Sequence, residues 1–243
     1  MAAAPRQEPR VRLVHAQRFS LRTGAEPELS RASGDSGFVA HLAASTHGAT
    51  GWDWSFRLVK TGFEWAFISD GKLSVFVDEP GQYVPAEAKP GDQVALRLPR
   101  ARENLHPHRF MLVGGQGPAV VGHGFTKLFL PVSYEAAPAL VEAFASRLGD
   151  QLRFGLCVAN SPHDFQRADS AVLDMGQSDA PGVQKVLELF VRGHPEAFAP
   201  RGLPLGTKEG PLGFPVAQGQ DRGDLADGYG WRRAQELVVR GEG

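Results

Sequence analysis

The chain has 243 residues, 42% hydrophobic and 22% charged, with 26 basic against 27 acidic side chains. That balance, with no long like-charge block, excludes a general nucleic-acid or anionic-membrane binder and leaves room only for a local cationic pocket. The opening MAAAPRQEPRVR lacks the apolar core of a secretory signal, no run approaches the roughly 20 apolar residues of a membrane helix, and Cys157 is the sole cysteine. A cytoplasmic protein without an intrachain disulfide framework or a Cys-cluster metal site is therefore expected.

Residues 1–35, rich in Ala, Arg, Pro, Gly and Ser, read as a flexible lead-in to one domain over 36–243. GFVAHLAAST (37–46) is a short helix candidate with Asp35 or Ser36 as its cap. Strand signals follow. WDWSFRLV (52–59) alternates aromatic and polar residues, and FEWAFISDGKLSVFV (63–77) is two runs joined at Asp70-Gly71, a dipeptide that tolerates positive φ and marks a hairpin. DQVALRLP (92–99) and RFMLVGG (109–115) continue the sheet, with RARENLHPH between them as a polar loop.

FTKLFLPV leads to the clearest helix, over 134–148, whose apolar stripe is Leu140, Val141, Phe144 and Leu148, with Gly149 just past its end. LRFGLCVA (152–159) and SAVLDM (170–175) are strands, and a second amphipathic helix covers 183–192. From Pro200 to Gly230 the chain is Gly- and Pro-rich, an irregular segment of a length that is often functional, before a last helix over 231–239. Strands first and strands mixed with helices later predict an α+β fold: a twisted, largely antiparallel sheet with helices packed on one side.

No Walker loop, dinucleotide fingerprint or nucleophile elbow is present, and the eight histidines form no metal-ligand motif. No metal or other cofactor is expected. Lys127, in GHGFTKLFLPV between Phe125 and Phe129, is the residue that asks for an explanation. A lysine on a half-buried strand is costly unless its charge is paired or its amine is used.

Several stretches, taken in order, carry a resemblance: GWDWSFRLVKTG, KPGDQVALRLPR, HRFMLVGG, RFGLCVANSPHDFQRADSAVLD, PLGTKEGPLGFPVAQG and DGYGWRRAQEL. Together they resemble the HopA-type effector-like family, over roughly residues 37–240. That family includes plant-pathogen type III effectors and the lyase components of class V lanthipeptide and thioamitide synthesis. It is structurally similar to the type III phosphothreonine lyases. The resemblance implies a cytoplasmic lyase that eliminates phosphate from phosphoserine or phosphothreonine of a precursor peptide, giving dehydroalanine or dehydrobutyrine. It also implies a partner Ser/Thr kinase of the same pathway, with no nucleic acid and no membrane. A non-catalytic subunit that binds peptide or kinase, a lanthionine cyclase, and an effector acting on host phosphoproteins are the other family options.

Elimination needs a base for the Cα proton, a cationic clamp for the phosphate and a donor to the leaving oxygen. Lys127 is the candidate base: a regular strand puts His123, Phe125, Lys127 and Phe129 on one face, where aromatic neighbours desolvate the amine. The alternative is that its amine snorkels to solvent from a sheet edge. KLF (127–129) resembles the Lys-Phe-His run of the phosphothreonine lyases, with Phe129 where their histidine acid stands; His123 is the candidate substitute.

Arg153 shares a strand face with Cys157, which occupies the place of a family lysine. Arg167 and Asp169 match the family's Arg-x-Asp, as a clamp or as a structural ion pair. Arg97 and Lys208 are further candidate phosphate contacts, with Tyr229 and Arg233 in a run where Gly228 and Tyr229 replace a serine and a phenylalanine. Cys157 itself reads as a small buried hydrophobe.

Overall fold

The computed structural model describes residues 34–71, 73–78, 81–106, 109–119, 125–146, 148–198 and 208–218. Among these residues three α-helices, α1 (Ser36–Ala44), α2 (Ala137–Ala145) and α3 (Ala180–Gly193), accompany twelve strands. The strands are β1 (Thr50–Gly62), β2 (Trp65–Ser69), β3 (Ser74–Val77), β4 (Tyr83–Val84), β5 (Gln93–Pro99), β6 (Ala101–His106), β7 (Arg109–Val113), β8 (Thr126–Leu130), β9 (Phe154–Ala159), β10 (Ala171–Met175), β11 (Lys208–Glu209) and β12 (Pro215–Gln218). The fold is α+β and every strand pairing is antiparallel.

The expected single sheet is in fact two: a five-stranded sheet in the order β3-β2-β1-β5-β4 and a seven-stranded sheet in the order β11-β12-β8-β10-β9-β7-β6. The switch between them is a corner at Arg100, where β5 runs directly into β6. The polar stretch expected to be a loop is therefore the strand β6, the last of the seven-stranded sheet among the described residues, and charged side chains are usual on such edge strands.

Arg100 fixes this corner. Its side chain is fully buried, and its guanidinium donates to the carbonyls of Val113 (2.9 Å), Phe144 (2.7 Å) and Ala145 (3.0 Å) and to the Asp150 carboxylate (2.8 Å). Two of those carbonyls are at the C-terminus of α2, where intrahelical donors run out and a cation is favoured. The helix consequently stops at Ala145 rather than 148, and Leu148, expected in its apolar stripe, is half exposed. Gly149 follows because a Cβ there would meet the Phe144 carbonyl oxygen at 2.1 Å and an Arg100 nitrogen at 2.7 Å.

The main core lies between one face of the seven-stranded sheet and all three helices. Phe110, Leu112, Leu128, Leu130, Leu156, Val158 and Leu173 meet Leu140, Val141 and Phe144 of α2 and Val183, Val186, Leu187 and Phe190 of α3. Asp35 caps α1 by accepting from the Gly37 and Phe38 amides at 2.9 and 3.1 Å, which seats Phe38 and Leu42 on the same core. The helices are on one side of the sheet, as expected. The five-stranded sheet has a separate small core of Phe56, Leu58, Ile68, Val77, Val94 and Leu96. Its β2–β3 hairpin turns at Asp70-Gly71, where Gly71 has φ +90° and the Asp70 carboxylate accepts from the Leu73 amide.

Candidate functional site

Cross-strand partners share a face, so the register sets out what the side of the seven-stranded sheet opposite the three described helices carries. One row runs Ala217, Lys127, Asp174, Gly155, Val113 across β12, β8, β10, β9 and β7. The next runs Phe129, Val172, Cys157, Met111, Arg102 across β8, β10, β9, β7 and β6. Beyond it Ala159 pairs with Arg109. Three of these residues, Met111, Val113 and Cys157, form a small apolar cluster, and charged side chains surround it.

Lys127 answers its own question by pairing. Its Nζ donates to both oxygens of Asp174 on the neighbouring strand, at 2.9 and 3.0 Å, and sits 5.2 Å from the centre of the Phe125 ring. Both side chains are largely shielded, at 14% and 11% exposure. Burial pushes the Asp174 carboxyl above the usual carboxylate range, opposed by the attraction of Lys127. Cys157, two residues along β9 from Gly155, has its thiol pushed up to about 12, by burial first and then by the Asp174 charge, against the opposing pull of Arg109 and Lys127. That is the inert, buried hydrophobe expected of it, not a nucleophile.

A second charged group lies at the other end of β10. Asp169 accepts from Arg167 Nε at 2.9 Å and Nη2 at 3.1 Å, and from Arg109 Nη2 at 3.0 Å, while Arg109 Nη1 donates to the Asp169 carbonyl at 2.6 Å. Arg167 also stands 3.8 Å from Asp164. Burial lowers the Arg167 guanidinium, and the Asp169 charge and hydrogen bond outweigh it, so the net shift is upward. On the β6 side, Arg102 reaches Asp53 of β1 at 3.3 Å and so ties the five-stranded sheet to this face. Burial pushes the Arg102 guanidinium down, with Asp53 opposing.

The sequence-based candidates land as follows. Lys127 is on this face and Arg167 at its end, where Arg167 is ion-paired with Asp169. Arg153 continues the alternation of Gly155 and Cys157 just before β9; it is half-buried, and its side chain has no hydrogen-bond or ion-pair partner among the described residues.

Arg97 is not brought to the site. It is exposed on β5 of the other sheet, donating to Thr50 Oγ1 at 3.1 Å. Lys208 is not brought there either: it pairs with Val216, which pairs with Leu128, so it belongs to the helix side of the sheet. His123, Tyr229 and Arg233 lie outside the described residues.

Sequence reading missed Asp174, Arg109 and the second role of Asp169. The available signal was Asp174 itself, a lone carboxylate in the apolar run AVLDM, which needs a cation on an adjoining strand. Among the described residues no cluster of His, Cys, Asp and Glu is arranged to hold a metal ion, and no helix is long and apolar enough to cross a membrane.

Comparison with known proteins finds no matching curated protein. Among solved structures, the chain is similar to an effector protein from Pseudomonas syringae pv. tomato strain DC3000, at 21% identity and a TM-score of 0.41. That match covers 54% of this chain and 51% of the other, so it spans about half of that protein's length. An effector from Pseudomonas syringae pv. syringae strain 61 is similar at 13% identity and a TM-score of 0.44, over 88% of this chain and 77% of the other. The profile of the HopA1 effector protein family matches residues 100–239, which takes in β6 to β12 and the whole charged face. The chain belongs to the HopA1 effector protein family.

Proposed function

We propose that the face of the seven-stranded sheet opposite the three described helices is the site of a phosphopeptide lyase. It removes phosphate from phosphoserine or phosphothreonine of a precursor peptide and leaves dehydroalanine or dehydrobutyrine. The observation that carries this is the Lys127–Asp174 pair, an amine and a carboxylate 2.9 Å apart and shielded from water. Burial raises the proton affinity of Asp174, against the attraction of Lys127. Asp174 fixes the Lys127 amine on this face, where the amine serves as the base that elimination needs once it has given up its proton.

The amine then takes the Cα proton of the substrate. The electron pair of that C–H bond becomes the Cα–Cβ double bond as the Cβ–O bond breaks, and phosphate departs with the bonding electrons. Arg153, without a side-chain partner among the described residues and on the same side, supplies a cation for the phosphate. A Ser/Thr kinase of the same pathway supplies the phosphorylated peptide.

One observation favours a second reading, a subunit that binds peptide without reacting. Arg102, Arg109 and Arg167 all engage aspartates, so among the described arginines near this face Arg153 alone is unengaged. Mass spectrometry of a phosphothreonine peptide incubated with the protein separates the two. Elimination gives a product lighter by one water than the unphosphorylated peptide, and hydrolysis restores that peptide's mass. A protein that binds the phosphopeptide yet leaves its mass unchanged supports the second reading and overturns the first.

A further inference from the structure

Glycine weakens a strand, and three occur within the described strands: Gly51 and Gly62 in β1 and Gly155 in β9. A Cβ on Gly51 would meet the Gly115 carbonyl oxygen at 2.8 Å, and one on Gly62 would run into the Trp65 ring. Both are glycine because the fold leaves no room for more. Gly155 is different. A Cβ there would meet Met111 Cε at 3.4 Å and Asp174 Cβ at 3.7 Å, which are ordinary contacts, and its backbone is not left-handed. β9 is paired on both flanks, by β10 and β7, where alanine would suit the strand better than glycine. Nothing among the described residues requires a glycine at this position.

The space it leaves lies beside the proposed base. Gly155 is the cross-strand partner of Asp174, which pairs in turn with Lys127. Adjacent strands are about 4.8 Å apart, so the missing side chain is one strand from the carboxylate that holds the Lys127 amine. Arg153 and Cys157 stand two residues to either side of it on the same face. Gly155 is buried, so the notch is a floor that only a group pressed against the sheet reaches. Both atoms nearest the absent Cβ are carbons, and the room they leave suits an apolar group of about one methyl.

We infer, on the lyase reading of this face, that Gly155 is a specificity-determining residue and that its notch takes the methyl group of phosphothreonine. Phosphothreonine differs from phosphoserine by one methyl on Cβ, the carbon that loses phosphate. With that methyl in the notch, rotation about Cα–Cβ is fixed. The Cβ–O bond is then held in one orientation to the C–H bond that Lys127 breaks. Phosphoserine leaves the notch unfilled and its Cβ free to turn. One methyl in an apolar pocket is worth about 10- to 200-fold in discrimination.

The test compares kcat/KM for dehydro-product formation on two peptides that differ only in phosphothreonine against phosphoserine. The wild type should favour the phosphothreonine peptide by about tenfold or more. Gly155→Ala puts its own methyl in the notch and should lower elimination from phosphothreonine by about tenfold or more, leaving phosphoserine near wild type. Its denaturant midpoint should be at or above that of the wild type. A purely structural glycine would instead lower stability and slow both substrates alike. Four results overturn the inference while the lyase reading stands: a wild type that converts phosphoserine at least as fast, a threonine preference that Gly155→Ala leaves intact, an equal loss on both peptides, or a variant that fails to fold. A wild type that forms no dehydro product from either peptide refutes the lyase reading itself, and the notch with it.

Discussion

The two faces of the seven-stranded sheet are made by the same strands and obey opposite rules. On the helix side Leu128, Leu130, Leu156, Val158 and Leu173 are fully buried or nearly so, and each packs against apolar side chains of the helices. On the other side the alternate residues of those strands are Lys127, Phe129, Gly155, Cys157 and Asp174, and the charges among them are shielded but paired. β9 is buried on both sides along its whole length, which is why it reads as a continuous apolar run rather than an alternating one. The difference teaches how one strand divides its work: it gives one face to the core and has the other to place paired charges at fixed spacing, and the proposed chemistry uses that second face.

That separation can be broken from either side. The largest effect is expected at Lys127: Lys127→Ala should lower elimination by roughly 100- to 10,000-fold, the usual loss of a positioned base, measured as the rate of dehydro-product formation. Leu173→Ala, on the same strand as Asp174 and facing the helices, should instead cost about 2–5 kcal/mol of stability in denaturant unfolding. The rate per folded molecule should stay near wild type.

Arg153→Ala should weaken phosphopeptide binding and turnover together by about tenfold or more, since a phosphate contact acts in ground and transition states alike. The smallest effect is expected at Cys157. Cys157→Ser should leave elimination nearly unchanged, and the native thiol, held protonated by a pKa of about 12, should resist alkylation between about pH 7 and 9. The urea-unfolded chain should alkylate readily over the same range.

Local signals made much of the fold legible. The Asp70-Gly71 hairpin, the Asp35 cap and the buried stripe of Val183, Val186, Leu187 and Phe190 are set by residues close in sequence. What was not legible depends on pairing at a distance. Arg100 reads as one of the two arginines in LPRARENL, and only the return of α2 some 45 residues later gives its guanidinium carbonyls to meet. β6 carries the composition of a loop, as edge strands often do, and one sheet became two because the corner at Arg100 has no local signature.

The site followed the same division. Lys127 was legible as a charge in the wrong place, while its partner Asp174 lies 47 residues away and is fixed by the β8–β10 register. Arg167 was legible through its neighbour Asp169, and Arg109, 60 residues from Asp169, was not.

The central claim is that the Lys127–Asp174 pair serves chemistry rather than folding, and the double variant Lys127→Met/Asp174→Leu tests it most directly. Replacing a shielded ion pair with apolar side chains of similar size is commonly neutral or stabilising by about 1–4 kcal/mol, whereas removing one partner strands the other's charge. The account predicts a double variant that unfolds at or above the wild-type denaturant midpoint and forms no dehydro product from a phosphothreonine peptide that the wild type converts. A double variant that still eliminates phosphate at the wild-type rate would contradict it.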